Sequence, residues 1–186
     1  MHEPDASQLH VLLAESACRR LCHLYCRALD RLDEPLLRSL FHPDATHRHA
    51  DFVGSSAEFC GYALEVVRGF AITQHLVGNT IIDVDGNVAH GETSFIAYHR
   101  APAGVVGPFP AHDPARDEDC FVGGRYIDGF ERRDGHWRIA HRHGVHDWER
   151  WAPTDSRMLE AIGPGGRGLQ GRGDPLYDYP AGEARA

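Results

Sequence analysis

Three segments of this sequence carry ionisable side chains of the kinds that transfer protons. Asp30 ends an apolar helical run that also holds Tyr25, His75 begins a run with strand character, and Arg142 and His146 lie in the last such run. A histidine bound to a carboxylate is held in one tautomer, and the negative charge stabilises its protonated form. Such a pair suits removal of a proton from carbon. A buried tyrosine or arginine nearby suits stabilisation of the charge that develops on the substrate.

Each member of the proposed pair also has an explanation without catalysis. A lone aspartate at a helix end is commonly solvated or paired with neighbouring cations, which here are Arg27 and Arg31. A lone histidine is more often structural than a base. The pattern therefore raises a pair of Asp30 and His75 as a hypothesis, which depends on a fold that brings the two residues together.

The composition indicates one globular domain whose partner is a small molecule. The chain has 186 residues and is 42% hydrophobic, which is enough for a single core. Its 19 Lys and Arg against 27 Asp and Glu give a net charge of -8, so no basic surface is expected for nucleic acid or an anionic membrane. Without a basic leader or a run of about eighteen apolar residues, we expect a cytoplasmic protein.

The fourteen histidines raise the question of a metal site. His47 with His49 and His141 with His143 have the spacing of residues on one strand face, which suits zinc. No carboxylate or cysteine at matching spacing completes either ligand set. We therefore expect no metal.

Periodicity predicts helices first and then a mostly antiparallel sheet, which is the α+β class. Asp-Gly pairs between hydrophobic runs predict hairpin turns at Asp85-Gly86 and Asp134-Gly135. Helices are predicted over 8–31 and 55–70, with about two further turns in 156–162. A short helix after the first is predicted to be capped by Asp33 and to carry Phe41 on its apolar side. The predicted strands cover 45–53, 72–84, 88–99 and the two arms of a hairpin over 121–148, with a loop over 102–116.

Side-chain alternation assigns faces in the last strand. Arg142, Gly144 and His146 are expected on one face, and Ile139 and His141 on the other. Alternation alone does not say which face is inward.

Three motifs, taken together, resemble a known family. They are YCRALDRLDEPLLRSLF from Tyr25, TQHLVGN from Thr73 and GGRYIDGFERRDGHWRIAHR from Gly123. In this order and spacing they resemble the SnoaL-like branch of the nuclear transport factor 2-like superfamily, over about residues 17–148. Members include scytalone dehydratase, bile acid 7α-dehydratase and hexachlorocyclohexane dehydrochlorinase.

The resemblance implies a fold and an assembly. The expected fold is a cone-shaped α+β barrel, in which a strongly curved, mostly antiparallel sheet has three helices packed on its concave face around a deep apolar pocket. Residues 1–151 are expected to form this domain, and the Gly- and Arg-rich tail 152–186 is expected to be either disordered or a lid. Family members commonly form dimers or trimers, so a homodimer or homotrimer is expected.

The resemblance also implies site residues and the absence of a cofactor. The family's lyases use no metal or organic cofactor, their catalytic histidine falls on His75, and its partner aspartate falls on Asp30. A tyrosine of the bile acid enzyme matches Tyr25, and an arginine that assists leaving-group departure in the dehydrochlorinase matches Arg142. The same superposition implies further residues that bind substrate: His49, Ile96, Tyr98, Tyr126, Gly144 and His146.

The expected function is a cofactor-independent lyase that acts as a dehydratase does. His75 would take a proton from carbon of a small hydroxylated aromatic or alicyclic substrate, while Asp30 orients it. Two alternatives use the same base, namely an isomerase of the ketosteroid type and a carbon-carbon lyase that releases formaldehyde from lignin-derived aromatics. A third is a non-catalytic binding module, which a pocket filled by aromatic side chains would favour.

Overall fold

Three helices and a six-stranded sheet form most of the chain that the computed structural model describes, which is residues 5–105, 112–156 and 158–178. The helices are α1 (Ala6–Asp30), α2 (Glu34–Ser39) and α3 (Ser56–Arg68), and the strands are β1 (Phe41–His49), β2 (Phe52–Ser55), β3 (Ile72–Asp85), β4 (Val88–Ala101), β5 (Glu118–Arg133) and β6 (His136–Pro153). The predicted α+β class is confirmed.

The sheet is mostly antiparallel, as predicted. Its order is β2-β1-β6-β5-β4-β3, and only the β1–β6 pair is parallel. The sheet curls without closing, so the cone is open between its edge strands β2 and β3. Both predicted Asp-Gly turns are present, and the second has positive φ at Asp134 (51°) and Gly135 (82°), the combination of a type I′ hairpin turn.

Helix α1 places its last residue against the start of β3. A capping box of Asp5 and Gln8 begins the helix. Its buried residues recur at three- and four-residue spacing, as a helix with one apolar face requires: Ala14, Cys18, Leu21, Cys22, Tyr25, Cys26, Ala28, Leu29 and Asp30. That face packs mainly on β3 and also on β6, whereas α3 packs on β1 and β2. In the described part of the chain, we find no helix with the length and apolar character needed to span a membrane.

The region after α2 differs from the prediction. Phe41, expected on the second helix, instead begins β1, and the single strand predicted over 45–53 is a hairpin of β1 and β2. Pro43 is tolerated inside β1 because the pairing with β6 shifts register between Phe41 and Thr46. The turn needs positive φ at Ala50 (48°), which alanine does not signal in sequence.

The predicted faces of β6 were wrong on one side of Ala140. Phe130 pairs with Ile139 and Gly129 pairs with His141, so Ala140 is an unpaired extra residue. Such a bulge moves the following residues to the other face. Ile139 and Arg142 are therefore both buried, although simple alternation separates them.

The tail contacts the ends of helices α1 and α3. Only one 3-10 turn, Leu159–Ala161, occurs where two helical turns were predicted, and three more short turns follow up to Asp178. Arg31 donates to the Leu169 carbonyl at 3.0 Å, and its own carbonyl accepts from Gly171 at 2.9 Å. The predicted loop 102–116 includes 106–111, which lie outside the described residues, as do 179–186 of the tail.

Candidate active site

A pocket opens between the concave face of the sheet and helices α1 and α3. The volume open to the centre of a water molecule is about 110 Å³, several times the amount that one water needs. Aromatic and aliphatic side chains dominate the lining, which consists of Tyr25, Leu29, His49, Ala50, Phe59, Tyr62, Ala63, Val66, Val67, Phe70, His75, Phe95, Ala97, His99, Val122, Tyr126 and His146. The pocket therefore has room for a small, largely apolar molecule.

Asp30 and His75 meet at one side of this pocket. Asp30 Oδ1 lies 2.7 Å from His75 Nδ1, and Asp30 Oδ2 accepts the backbone N–H of His75 at 2.8 Å. Both side chains are more than nine-tenths buried. An ionised carboxylate can only accept, so the hydrogen of this contact is on Nδ1 and Nε2 remains as the basic ring nitrogen. Two contacts to one residue fix the orientation of the imidazole.

Arg142 lies behind the pocket wall and does not line it. It is fully buried, and its Nε and Nη2 donate to Asp128 at 2.7 Å each. The guanidinium carbon is 4.1 Å from the ring centre of Tyr25 and 4.4 Å from that of Tyr126. The resemblance implied that Arg142 contacts a leaving group. In the structure, Arg142 does not line the cavity and lies instead against the rings of the two lining tyrosines.

Tyr25 and Tyr126 both line the pocket, as the resemblance implied. Their rings meet edge to face with centres 5.4 Å apart. Burial raises the pKa of both phenols, and the Arg142 cation opposes this only in part. Both hydroxyls therefore remain protonated at neutral pH.

His49 and His146 also line the pocket, on the side formed by β1 and β6. Their Nε2 atoms lie 3.1 Å apart. Gly144 makes this contact possible, because a Cβ at position 144 would lie 2.0 Å from Nδ1 of His49. Gly144 thus supports the pocket by leaving room for the His49 ring and is not itself part of the lining.

Two implied substrate-binding residues lie on the wrong face of β4. Ile96 is 45% exposed on the outer surface, and Tyr98 donates to Asp119 at 2.8 Å, also outside the pocket. Phe95 and Ala97 occupy the inward positions. The expectation was wrong by one residue of register, which exchanges the two faces of a strand. Both alternating sets contain bulky apolar residues, so the sequence pattern did not choose between them.

His99 is a pocket residue that sequence reasoning missed. It shares the inward face with Phe95 and Ala97, and its ring centre is 5.2 Å from that of His75. Burial lowers the pKa of His99 to about 3, with a further contribution from His75. The available signal was its two-residue spacing from Ala97, which is informative only once the face of β4 is known.

The histidine pairs considered as zinc ligands make other contacts, although the rings of His47 and His49 lie near each other, with centres 6.2 Å apart. His47 stacks on Phe59 with ring centres 3.5 Å apart, and His141 lies within 2.7 Å of the Thr46 hydroxyl on the outer surface. Within the described ranges, no group of three or more His, Cys, Asp or Glu side chains is placed to hold a metal ion.

Solved structures with this architecture include proteins with named activities. A putative scytalone dehydratase from Novosphingobium aromaticivorans is 23% identical, with 78% of this chain and 91% of that chain covered and a TM-score of 0.61. The hexachlorocyclohexane dehydrochlorinase LinA-type3 from Novosphingobium barchaimii is 18% identical, with coverage of 78% and 93% and a TM-score of 0.59. A protein of unknown function with a cystatin-like fold from Nostoc punctiforme is 16% identical, with coverage of 78% and 96% and a TM-score of 0.56.

These likenesses show a shared fold. No curated protein sequence matches the chain. The sequence profile of the SnoaL-like domain matches residues 10–143, which include α1, the sheet up to the middle of β6, and both members of the Asp30–His75 pair. The chain therefore belongs to the SnoaL-like domain family.

Proposed function

We propose that this protein is a cofactor-independent lyase that removes a proton from carbon of a small hydroxylated aromatic or alicyclic substrate and eliminates a leaving group. The observation that carries the proposal is the contact of Asp30 with both the ring and the backbone of His75, at the wall of an apolar pocket. The named activities of the scytalone dehydratase and dehydrochlorinase structures are consistent with this reaction class.

His75 is the proposed base. Its Nε2 has no hydrogen bond to any other described residue, so the lone pair is available to a substrate C–H in the cavity. The Asp30 carboxylate stabilises the imidazolium that forms. General base catalysis of this kind typically contributes about 10²–10⁴-fold in rate. Return of the proton from His75 to a departing hydroxyl would release water and restore the neutral base.

Tyr25 and Tyr126 are proposed to donate hydrogen bonds to substrate oxygen atoms, on which negative charge develops during the reaction. Arg142 is assigned a positioning role, because it touches the two tyrosine rings and does not itself line the pocket. Its ion pair with Asp128 holds both rings in place.

The alternatives differ in product and share the base. Loss of formaldehyde would cleave a carbon-carbon bond, and a ketosteroid-type isomerase would return the proton to a different carbon. A pocket filled by aromatic side chains would have favoured a non-catalytic module, whereas this pocket is open. Nothing in its geometry favours a second reaction over dehydration.

Screening should use a panel of hydroxylated aromatic and alicyclic compounds in deuterated water. Mass spectrometry then distinguishes the loss of water, the loss of formaldehyde, and deuterium incorporation without net loss. For any compound that reacts, we expect His75→Ala to lower kcat by about 10²–10⁴-fold. Asp30→Asn should lower it by roughly 10²-fold, because the amide keeps the shape and removes the charge.

His90→Ala is a matched control, because His90 lies on β4 and is exposed to solvent. It should react at the wild-type rate. Full activity of a folded His75→Ala variant would refute the mechanism, and deuterium incorporation that persists in that variant would show that another group removes the proton.

A further inference from the structure

The contact between His49 and His146 is a second polar feature of the pocket, distant from the Asp30–His75 pair along the sheet. His146 lies on β6 and His49 on β1, whereas His75 lies on β3, and the sheet order puts β4 and β5 between β3 and β6. Strands are about 4.8 Å apart, so the His49–His146 contact and the Asp30–His75 pair stand on different strands that both border the cavity.

The two imidazoles form one neutral donor–acceptor pair. Their Nε2 atoms face each other at 3.1 Å with the rings nearly perpendicular, at 80°. A contact of this length between two ring nitrogens requires one hydrogen, so one Nε2 donates and the other accepts. Burial, and then His146, lowers the pKa of His49 to about 3. His146 is exposed to solvent as a residue, and the partial burial of its ring lowers its pKa. Neither ring is charged at neutral pH.

The strand pairing and the His49 ring packing that support this geometry do not involve the proposed base. His49 pairs with Gly144 across the β1–β6 ladder, and the absent side chain at position 144 lets the His49 ring lie against the backbone of β6. His146 is two residues further along the same strand. The ring of His49 therefore reaches Nε2 of His146, while its own Nδ1 is buried and has no hydrogen-bond partner among the described residues.

We propose that the His49–His146 pair binds a neutral hydroxyl group of the substrate, and so selects hydroxyl-bearing compounds over carboxylates and hydrocarbons of the same size. The inference takes the pocket to be the substrate site of the proposed lyase. A hydroxyl both donates and accepts, so it can insert between one Nε2–H and one Nε2 lone pair. A carboxylate only accepts and would face the lone pair of the other nitrogen. A methyl group neither donates nor accepts, so it would have to separate the two nitrogens without replacing their hydrogen bond.

The rest of the lining supports selection of a neutral ligand. Among the described residues that line the pocket, none is Asp, Glu, Lys or Arg. The nearest buried cation, Arg142, is neutralised by its two contacts with Asp128. An anionic ligand would therefore lose its hydration without gaining a charged partner.

Binding of phenol, benzoate and toluene tests this inference without requiring turnover. We expect phenol to bind at least about tenfold more tightly than either analogue, which corresponds to one hydrogen bond. Nitrogen NMR of the imidazole side chains should show one protonated and one unprotonated Nε2 in the free protein. Phenol should shift both of these signals, and toluene should leave both unchanged, because it cannot replace the hydrogen bond between the two rings.

His146→Leu and His49→Leu should each remove the preference for phenol, by about tenfold. His143→Leu is the matched control, because His143 is on the same strand and does not line the pocket, and it should keep the wild-type preference. Retention of the preference in both folded variants would overturn the inference.

The same series in His75→Ala separates this inference from the proposed mechanism. Loss of the phenol preference in that variant would place the hydroxyl at His75 and overturn the assignment to the His49–His146 pair. If turnover survives His75→Ala while the preference still depends on His146, the base assignment fails and the hydroxyl site stands.

Discussion

At the scale of single residues, Arg142 shows how position changes a role. The family resemblance made it a candidate for direct contact with a leaving group, whereas the structure puts it beneath Tyr25 and Tyr126. Its partner Asp128 is also buried, at 2% exposure, and among the described residues its carboxylate also accepts from the Cys22 thiol at 3.7 Å. The charge of each partner is therefore compensated mainly by the other.

Removal of Arg142 alone should be costly, since it leaves the Asp128 carboxylate buried without its cation. We expect Arg142→Met to lower the free energy of unfolding by about 3–5 kcal/mol. The double variant Arg142→Met/Asp128→Leu should recover most of this loss, because it removes both charges and keeps the volume. Urea denaturation of the two variants measures the difference. Equal destabilisation of both would show that lost packing on the tyrosines, and not the unpaired charge, sets the cost.

The double variant also tests the positioning role. If Arg142 acts only through the tyrosine rings, the loss of kcat should be modest, about tenfold, with a change in KM from the altered pocket wall. A loss as large as that of His75→Ala would instead support direct participation at the leaving group.

At the scale of elements, the tail is attached to the helix end that carries Asp30. Asp174 accepts the backbone N–H groups of Leu169 and Leu176 at 2.8 and 2.9 Å, and its carboxylate lies 3.6 Å from Nε of Arg31. Tail residues Leu169 and Gln170 share a hollow with the start of β3, immediately before His75. The structure therefore places the described part of the tail next to the start of β3, which carries His75.

Asp174→Ala should release the tail without unfolding the domain. The variant loses two charge-assisted hydrogen bonds that organise the turns, so amide hydrogen exchange over residues 168–177 should accelerate by at least about tenfold. Mass spectrometry of peptides from exchanged protein measures this. Asp178→Ala is the control, because Asp178 is exposed and close in sequence. Unchanged exchange in Asp174→Ala would show that other contacts, such as that of Tyr177 with Asp33, retain the tail.

At the scale of the whole molecule, buried neutral histidines make the fold sensitive to acid. Burial lowers the pKa of His47 to about 2, with Arg142 contributing next, and lowers the pKa values of His49 and His99 to about 3. In the unfolded chain the pKa of each of these groups is near the ordinary histidine value of about 6.5. Below that pH the unfolded state binds more protons than the native state, so stability falls as pH falls toward the folded pKa values.

We expect the free energy of unfolding to drop between about pH 7.5 and about pH 5.5, by roughly 1 kcal/mol for each of the three histidines. His47→Leu should reduce this pH dependence by about a third, because neither ring nitrogen of His47 has a hydrogen-bond partner among the described residues. Urea denaturation at several pH values measures how the free energy of unfolding changes with pH. His90→Ala, at an exposed position, should keep the wild-type slope, and an unchanged slope in His47→Leu would show that His47 is protonated in the native state.

Elements with local signals were predictable from the sequence. Apolar spacing located α1 and α3, and the Asp-Gly pairs located both hairpin turns, because helix periodicity and positive φ depend on neighbouring residues. The motifs also named Asp30 and His75 as partners across 45 positions. That assignment came from resemblance, since no local pattern reports a contact between a helix end and a distant strand.

Which side chains meet depends on the three-dimensional fold. The bulge at Ala140 puts Arg142 on the same face as Ile139. The register of β4 turns Phe95, Ala97 and His99 toward the pocket in place of Ile96 and Tyr98. The parallel pairing of β1 with β6 brings His49 to His146. The physical reason is the two-residue period of a strand. One inserted or shifted residue reverses every following side chain, and only the pairing with a neighbouring strand records where that happens.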